Sequence, residues 1–366
     1  STGSFKSLIP IFSEIFSLLY ISLLSTVFMY LSSPNIKLSQ TDTLLRPFVF
    51  MVVALVVGVP ILLIYKRHKE LKLNRQYIKK SAFLKLVAII YAVVYFISIV
   101  KTIARFDLFV SSEVFPNADM FIFLVAIIFV CALLSLSGLG ALSRSALIFL
   151  VLIGGATVVV MISLREEIDI LNFTPIFQNG VKSFAEDGFI FSAQALEIGA
   201  ITFFLPHING NIKKTFIGWS VLSAVSFSLI FLFVVGSLGV FADTQLFPTY
   251  TAVSLASFGL LERIDALETG VWIICAVEKL ALYFLIAANA VSYAFKGASQ
   301  RVVTAVCFVL ATLFSVIISR NIEHFSFLSS NLLTIVLFVV VAVILPVSLA
   351  IYVRRVRPCE KVDEGL

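Results

Sequence analysis

The chain has 366 residues, of which 60% are hydrophobic and only 13% charged, and its mean hydropathy is +1.08. A water-soluble domain of this composition, with 36 Phe, would aggregate, so the soluble classes are excluded and a polytopic membrane protein is expected. The net charge of +6 then reads as a topology signal and not as a nucleic-acid footprint, and no nucleic-acid partner is expected.

Ten apolar stretches follow one another, at 8–31, 44–65, 84–105, 119–137, 141–163, 184–207, 214–241, 267–294, 299–319 and 328–353. Each approaches the roughly 20 residues that a helix needs to cross about 30 Å of hydrocarbon. Most of the 27 Lys and Arg fall on alternate connections, notably Lys66 to Lys85 and Arg354 to Lys361, which places both termini on the cytoplasmic side. Span 1 has no cleavage-site pattern and exceeds a signal h-region, so it is expected to remain as a span. The expected fold class is all-α, with ten transmembrane helices.

Taken in order, span 1 carries Glu14 near its cytoplasmic end, with Ser22, Ser25 and Thr26 further along as the residues able to line a break. The basic run Lys66 to Lys80 after span 2 is a positive-inside anchor with the charge to touch anionic lipid or a cytoplasmic partner. In span 3, Tyr91, Tyr95 and Ser98 share a face, and the Tyr95 hydroxyl sits near mid-depth, where it could cap a small ligand or simply pack. The segment 164–183 divides the spans five and five. An odd number per half inverts the second half relative to the first, giving a 5+5 inverted repeat with residues 1–163 as the first unit, 164–183 as an outer connection, 184–354 as the second unit and 355–366 as a cytoplasmic tail.

Charged side chains inside spans are costly and normally face a cavity or a partner. In span 6, Glu197 follows Ser192 and Gln194 in a stretch of small and polar residues where the backbone could unwind and present amides to an anionic group. A protonated acid bonded to a neighbouring helix is the alternative. Span 8 carries Glu278 and Lys279, whose side chains point about 100° apart, so Lys279 is expected to reach an acid on another helix. It shares a stripe with Trp272, Ala276 and Tyr283, and could serve as a fixed cation in place of a coupling ion, as a proton carrier, or as half of a structural ion pair.

No enzyme is expected. His68, His207 and His324 lie far apart in connections, no glycine loop or activated nucleophile is present, and no metal or other cofactor is implied. Cys131, Cys275 and Cys307 fall within spans and Cys359 in the tail, without a CxxC framework.

The order Phe189-x-x-Ser192-x-x-x-x-Glu197, with Pro206 later, resembles the sixth-helix motif of the amino acid, polyamine and organocation transporter superfamily. More specifically, Leu171-Asn172-Phe173-Thr174-Pro175 through Gly180 is similar to the block after span 5 of the B, or permease-like, subunits of spore germinant receptors. So are Phe247-Pro248-Thr249, Gly259 to Leu267, Trp272 and Lys279 before and within span 8. The resemblance covers about 135–295. It implies an integral protein of the inner membrane of a spore that binds a small nutrient, an amino acid, between spans 1, 3, 6 and 8. It also implies an A-type partner subunit with a large soluble domain and a C-type lipoprotein. A proton-coupled amino acid transporter is the alternative, and a ligand-free scaffold a third reading. Where the family usually carries glycine in span 1, residues 11–31 have none, with Ser25 and Thr26 standing where a break would fall, and Ala195 replaces a frequent glycine in span 6.

Overall fold

The computed structural model describes residues 14–31, 41–71, 81–114, 121–174, 180–205, 208, 211–256, 264–295 and 298–355. Among these the chain is helical, without a β-strand: α1 (Glu14–Leu31), α2 (Arg46–Leu71), α3 (Ala82–Phe109), α4 (Phe121–Leu136), α5 (Leu139–Leu164), α6 (Gly180–Ala193), α7 (Glu197–Phe204), α8 (Ile212–Leu238), α9 (Pro248–Leu255), α10 (Asp265–Ala294), α11 (Gln300–Ser319), α12 (Ile322–Leu328), α13 (Asn331–Phe338) and α14 (Leu345–Arg355). Pro206, His207, Cys359, the start of span 1, residues 72–80 of the basic run and the family-like segments at 175–179 and 257–263 lie outside the described residues.

Eight helical stretches are long and apolar enough to cross a membrane. The two expected spans that do not qualify have specific reasons. Span 4 is the 16-residue α4, one turn short. Span 6 is interrupted between α6 and α7, of 14 and 8 residues. Span 10 is also irregular, since a π-helical segment, Val339–Ile344, separates α13 from α14. Span 1, in contrast, is one uninterrupted helix, so Ser22, Ser25 and Thr26 lie on regular backbone and not at a break. With neither Gly nor Pro in Glu14–Leu31, nothing local favours unwinding.

Two helices form the centre. In α1 89% of the spanning window is buried and in α10 83%, against 22–50% for the others. α10 packs against α1, α3, α4, α5 and α11, and α1 against α5, α8 and α10. The periphery is apolar outwards, as at Ile122 (81% exposed) and Val151 (74%), a surface that suits hydrocarbon and not water.

The interruption in span 6 has a visible local basis. Ser192 Oγ donates to the Gly188 carbonyl (2.7 Å), and such back-bonding competes with regular helix. Over the next residues the amides turn to nearer carbonyls: Gln194 to Phe191 (3.1 Å), Ala195 to Ser192 (3.0 Å) and Gly199 to Leu196 (3.0 Å). The second half is held by close packing. A Cβ at Gly199 would lie 2.9 Å from the Val341 carbonyl oxygen and would also strike its side chain, so glycine lets α7 lie directly on the π segment of span 10. A buried cation fixes the other half: Arg46 of α2 reaches Asp187 of α6 (3.1 Å) and Tyr30 of α1 (3.1 Å), tying three helices together.

Gly199→Ala is therefore expected to push α7 off span 10 at a cost of about 1–3 kcal/mol, lowering the apparent melting temperature of the detergent-purified protein. An unchanged melt would show that Val341 moves aside freely.

Candidate functional site

The interruption delivers a carboxylate to the middle of the bundle. Glu197, the first residue of α7, is fully buried, and its Oε1 accepts from four side chains on two other helices. From α1 come Ser22 Oγ (2.7 Å) and Thr26 Oγ1 (3.2 Å); from α10 come Lys279 Nζ (3.1 Å) and Tyr283 OH (3.0 Å). Lys279 also donates to Thr26 Oγ1, and its ammonium stands 5.1 Å from the centre of the Tyr283 ring. Lys279 lies at the midpoint of α10, so the cluster is at mid-depth of the bundle. The pair is neutral overall, and its hydroxyl neighbours supply to Oε1 bonds that water would supply outside. Burial of two charges is tolerable only under those conditions.

Two tyrosines of α3 finish the interrupted backbone. Tyr95 OH donates to the Leu196 carbonyl (3.0 Å) and Tyr91 OH to that of Gly199 (3.4 Å). Tyr95 also meets Tyr283 edge-on at 5.0 Å, linking α3 to the Glu197 cluster through its ring. The Leu196 carbonyl also accepts from the amides of Gly199 (3.0 Å) and Ala200 (3.3 Å), so the tyrosine hydroxyls add a side-chain bond from α3 to the start of α7.

Of the residues singled out in the sequence, Ser22, Thr26, Tyr95, Glu197 and Lys279 come together. Ser25 Oγ and Glu197 Oε2 are buried nearby without a hydrogen-bond partner among the described residues. Ser192 is turned to its own helix, as described above. Gln194 joins a neighbouring group, accepting at Oε1 from Lys101 Nζ (3.2 Å). Glu278 points away from the cluster, as adjacent helix positions must, and accepts from Ser145 of α5 (2.7 Å). Glu14 is exposed at the start of α1, remote from the rest.

Beside the cluster is a cavity of about 40 Å³ between α1, α3, the interrupted span 6, α10 and the start of span 10. Its polar lining includes Thr26, Lys101, Arg105, Gln194, Lys279 and Thr334. Lys101 and Arg105 are not among the residues singled out in the sequence. Extending the Tyr91, Tyr95 and Ser98 stripe by one more helical step reaches Lys101 and Thr102, and that periodicity is the signal that could have found them. Among the described residues no group of three or more His, Cys, Asp or Glu comes together.

Removing single donors to Glu197 is expected to be graded. Tyr283→Phe takes one bond, whereas Thr26→Val takes a bond from Glu197 and an acceptor from Lys279, each loss being worth about 1–3 kcal/mol. Thermal melts of the purified variants should fall further for Thr26→Val, and equal shifts would contradict the double role of Thr26.

A family model described as spore germination protein matches residues 11–323, most of the chain, and agrees with the many apolar helices in making this an integral membrane protein. No match is found among curated proteins. The chain belongs to the spore germination protein family of membrane permease-like proteins.

Proposed function

We propose that the chain is the permease-like subunit of a spore germinant receptor, and that it binds a small nutrient, an amino acid or a close relative, at mid-membrane and signals germination. The observation that carries this reading is the interruption at 194–196, which sets an acid, a lysine and a polar cavity side by side at the centre of the bundle. Irregular backbone at membrane depth is stable only where it is buried in protein or lines a cavity, and transporters of this architecture place their substrates at such points.

On this reading α4 and the α6–α7 pair complete ten crossings, arranged as a 5+5 inverted repeat with both termini cytoplasmic, in the inner membrane. The packing pattern supports that arrangement. Span 3 packs on spans 8 and 9, and span 8 packs on spans 3 and 4, the relation expected when spans 3 and 4 correspond to 8 and 9. Span 1 packs on span 5, while both halves of span 6 touch parts of span 10. The nutrient would favour one arrangement of the two repeats and pass the change to an A-type subunit and a C-type lipoprotein, limited by its differential affinity for the two arrangements.

A proton-coupled amino acid carrier would use the same buried charges, with Glu197, Lys279 and Glu278 exchanging protons. The two readings part in proteoliposomes of the purified protein, given a labelled amino acid panel and an imposed pH gradient. Saturable binding without accumulation, lost in Glu197→Gln, is the expected result. Gradient-driven accumulation lost in the same variant would establish the carrier.

A further inference from the structure

The charged side chains lining the cavity beside Glu197 are all of one sign. Its charged lining residues are Lys101, Arg105 and Lys279, all cations, and Glu197 is not among the residues that line it. Lys279 is compensated by Glu197 at 3.1 Å. Lys101 is not compensated in that way: its ammonium donates to Thr334 Oγ1 (2.7 Å) and Gln194 Oε1 (3.2 Å), both neutral. Among the described residues no carboxylate pairs with it. An ammonium has three donors, and these bonds use two of them.

A half-buried cation held by neutral oxygens alone is costly, and further cations on the same wall raise the cost. An anion entering the cavity would relieve Lys101. Backbone amides cannot supply that attraction from span 1, because α1 is continuous and its mid-helix N–H groups are consumed by its own carbonyls. Side-chain donors must supply it.

Building on the nutrient-binding reading, we propose that the cavity is an anion subsite in which Lys101, flanked by Arg105 and Lys279, takes the carboxylate of a small ligand of net negative charge. Gln194 and Thr334 orient the Lys101 ammonium from opposite walls, one at the interruption of span 6 and one at the start of span 10. Ligand contact at Lys101 thereby reaches both irregular helices at once. The cavity has about 40 Å³, and a water needs roughly 10–15 Å³ of such space, so the ligand is a compact acid. No acid stands among the residues that line the cavity, so an ammonium group on the ligand gains no partner there, and a simple carboxylate is preferred to a zwitterion.

Equilibrium binding to the purified full chain in nanodiscs tests this with four probes: propionate, L-alanine, L-alaninamide and chloride. Propionate is expected to bind saturably and at least as tightly as L-alanine. L-Alaninamide, which lacks the carboxylate, and propionate binding to Lys101→Met should each be about 10- to 100-fold weaker, as loss of a charged hydrogen bond implies. Lys101→Arg should stay within a few-fold of the parent protein. L-Alaninamide binding as tightly as propionate in the unaltered protein, or Lys101→Met binding propionate normally, would overturn the subsite and leave nutrient binding standing. Chloride that saturates the protein and is not displaced by propionate would overturn the carboxylate assignment. Binding of none of the four would overturn both the subsite and the nutrient reading. The probe comparison needs no variant, so a Lys101→Met protein that fails to fold does not block the test.

Discussion

The ion pair between Glu197 and Lys279 is the constraint around which the rest is arranged. An acid and an ammonium in the middle of an apolar bundle are tolerable only if they meet and if further hydrogen bonds take up part of their remaining capacity. Meeting requires that span 6 bring Glu197 to the face of span 8, and the further bonds require hydroxyls from Ser22, Thr26 and Tyr283 on the two most buried helices. The centre of the molecule is therefore polar and specified by hydrogen bonds, inside a shell specified only by apolarity.

That arrangement accounts for several otherwise separate features. Beside the interruption of span 6, Tyr95 and Tyr91 tie the first turn of α7 to α3 through the Leu196 and Gly199 carbonyls. Gly199 lets the second half-helix lie on the π segment of span 10, while Arg46 clamps the first half through Asp187. Two irregular helices, spans 6 and 10, border the cavity whose lining carries Lys101, Arg105 and Lys279. An element that is irregular, closely packed and in contact with a polar cavity is suited to two alternative arrangements, which is what a sensor or a carrier requires.

Much of the shell was legible in the sequence, because apolar runs of spanning length leave little freedom. Span 3, expected at 84–105, is the helix Ala82–Phe109, and span 8, expected at 267–294, is Asp265–Ala294. Glu197 and Lys279 stood out because charges inside spans are rare, and the fact that Glu278 and Lys279 face apart followed from helix geometry alone. The partners did not follow. Ser22 and Glu197 are 175 residues apart and Thr26 and Lys279 253, so only the packing of the bundle joins them. Nothing local to Lys101 shows that Gln194 and Thr334, 93 and 233 residues away, close over it. The π segment at Val339–Ile344 has one local signal, Pro346, which cannot donate to the Ala342 carbonyl inside it, and the continuity of α1 shows that lack of glycine, read directly, was the better guide to span 1 than the family pattern.

The most direct test of the central ion pair is a double-mutant cycle on Glu197→Gln and Lys279→Met, read as the apparent melting temperature of each protein purified in one detergent. Removing one partner leaves a buried charge unpaired, at a cost of about 3–5 kcal/mol, whereas removing both leaves none. The account predicts that both single variants melt well below the parent and that the double variant melts above either. A double variant whose loss equals the sum of the two single losses would show that Glu197 and Lys279 act independently, and would contradict the ion pair as the organising interaction of this protein.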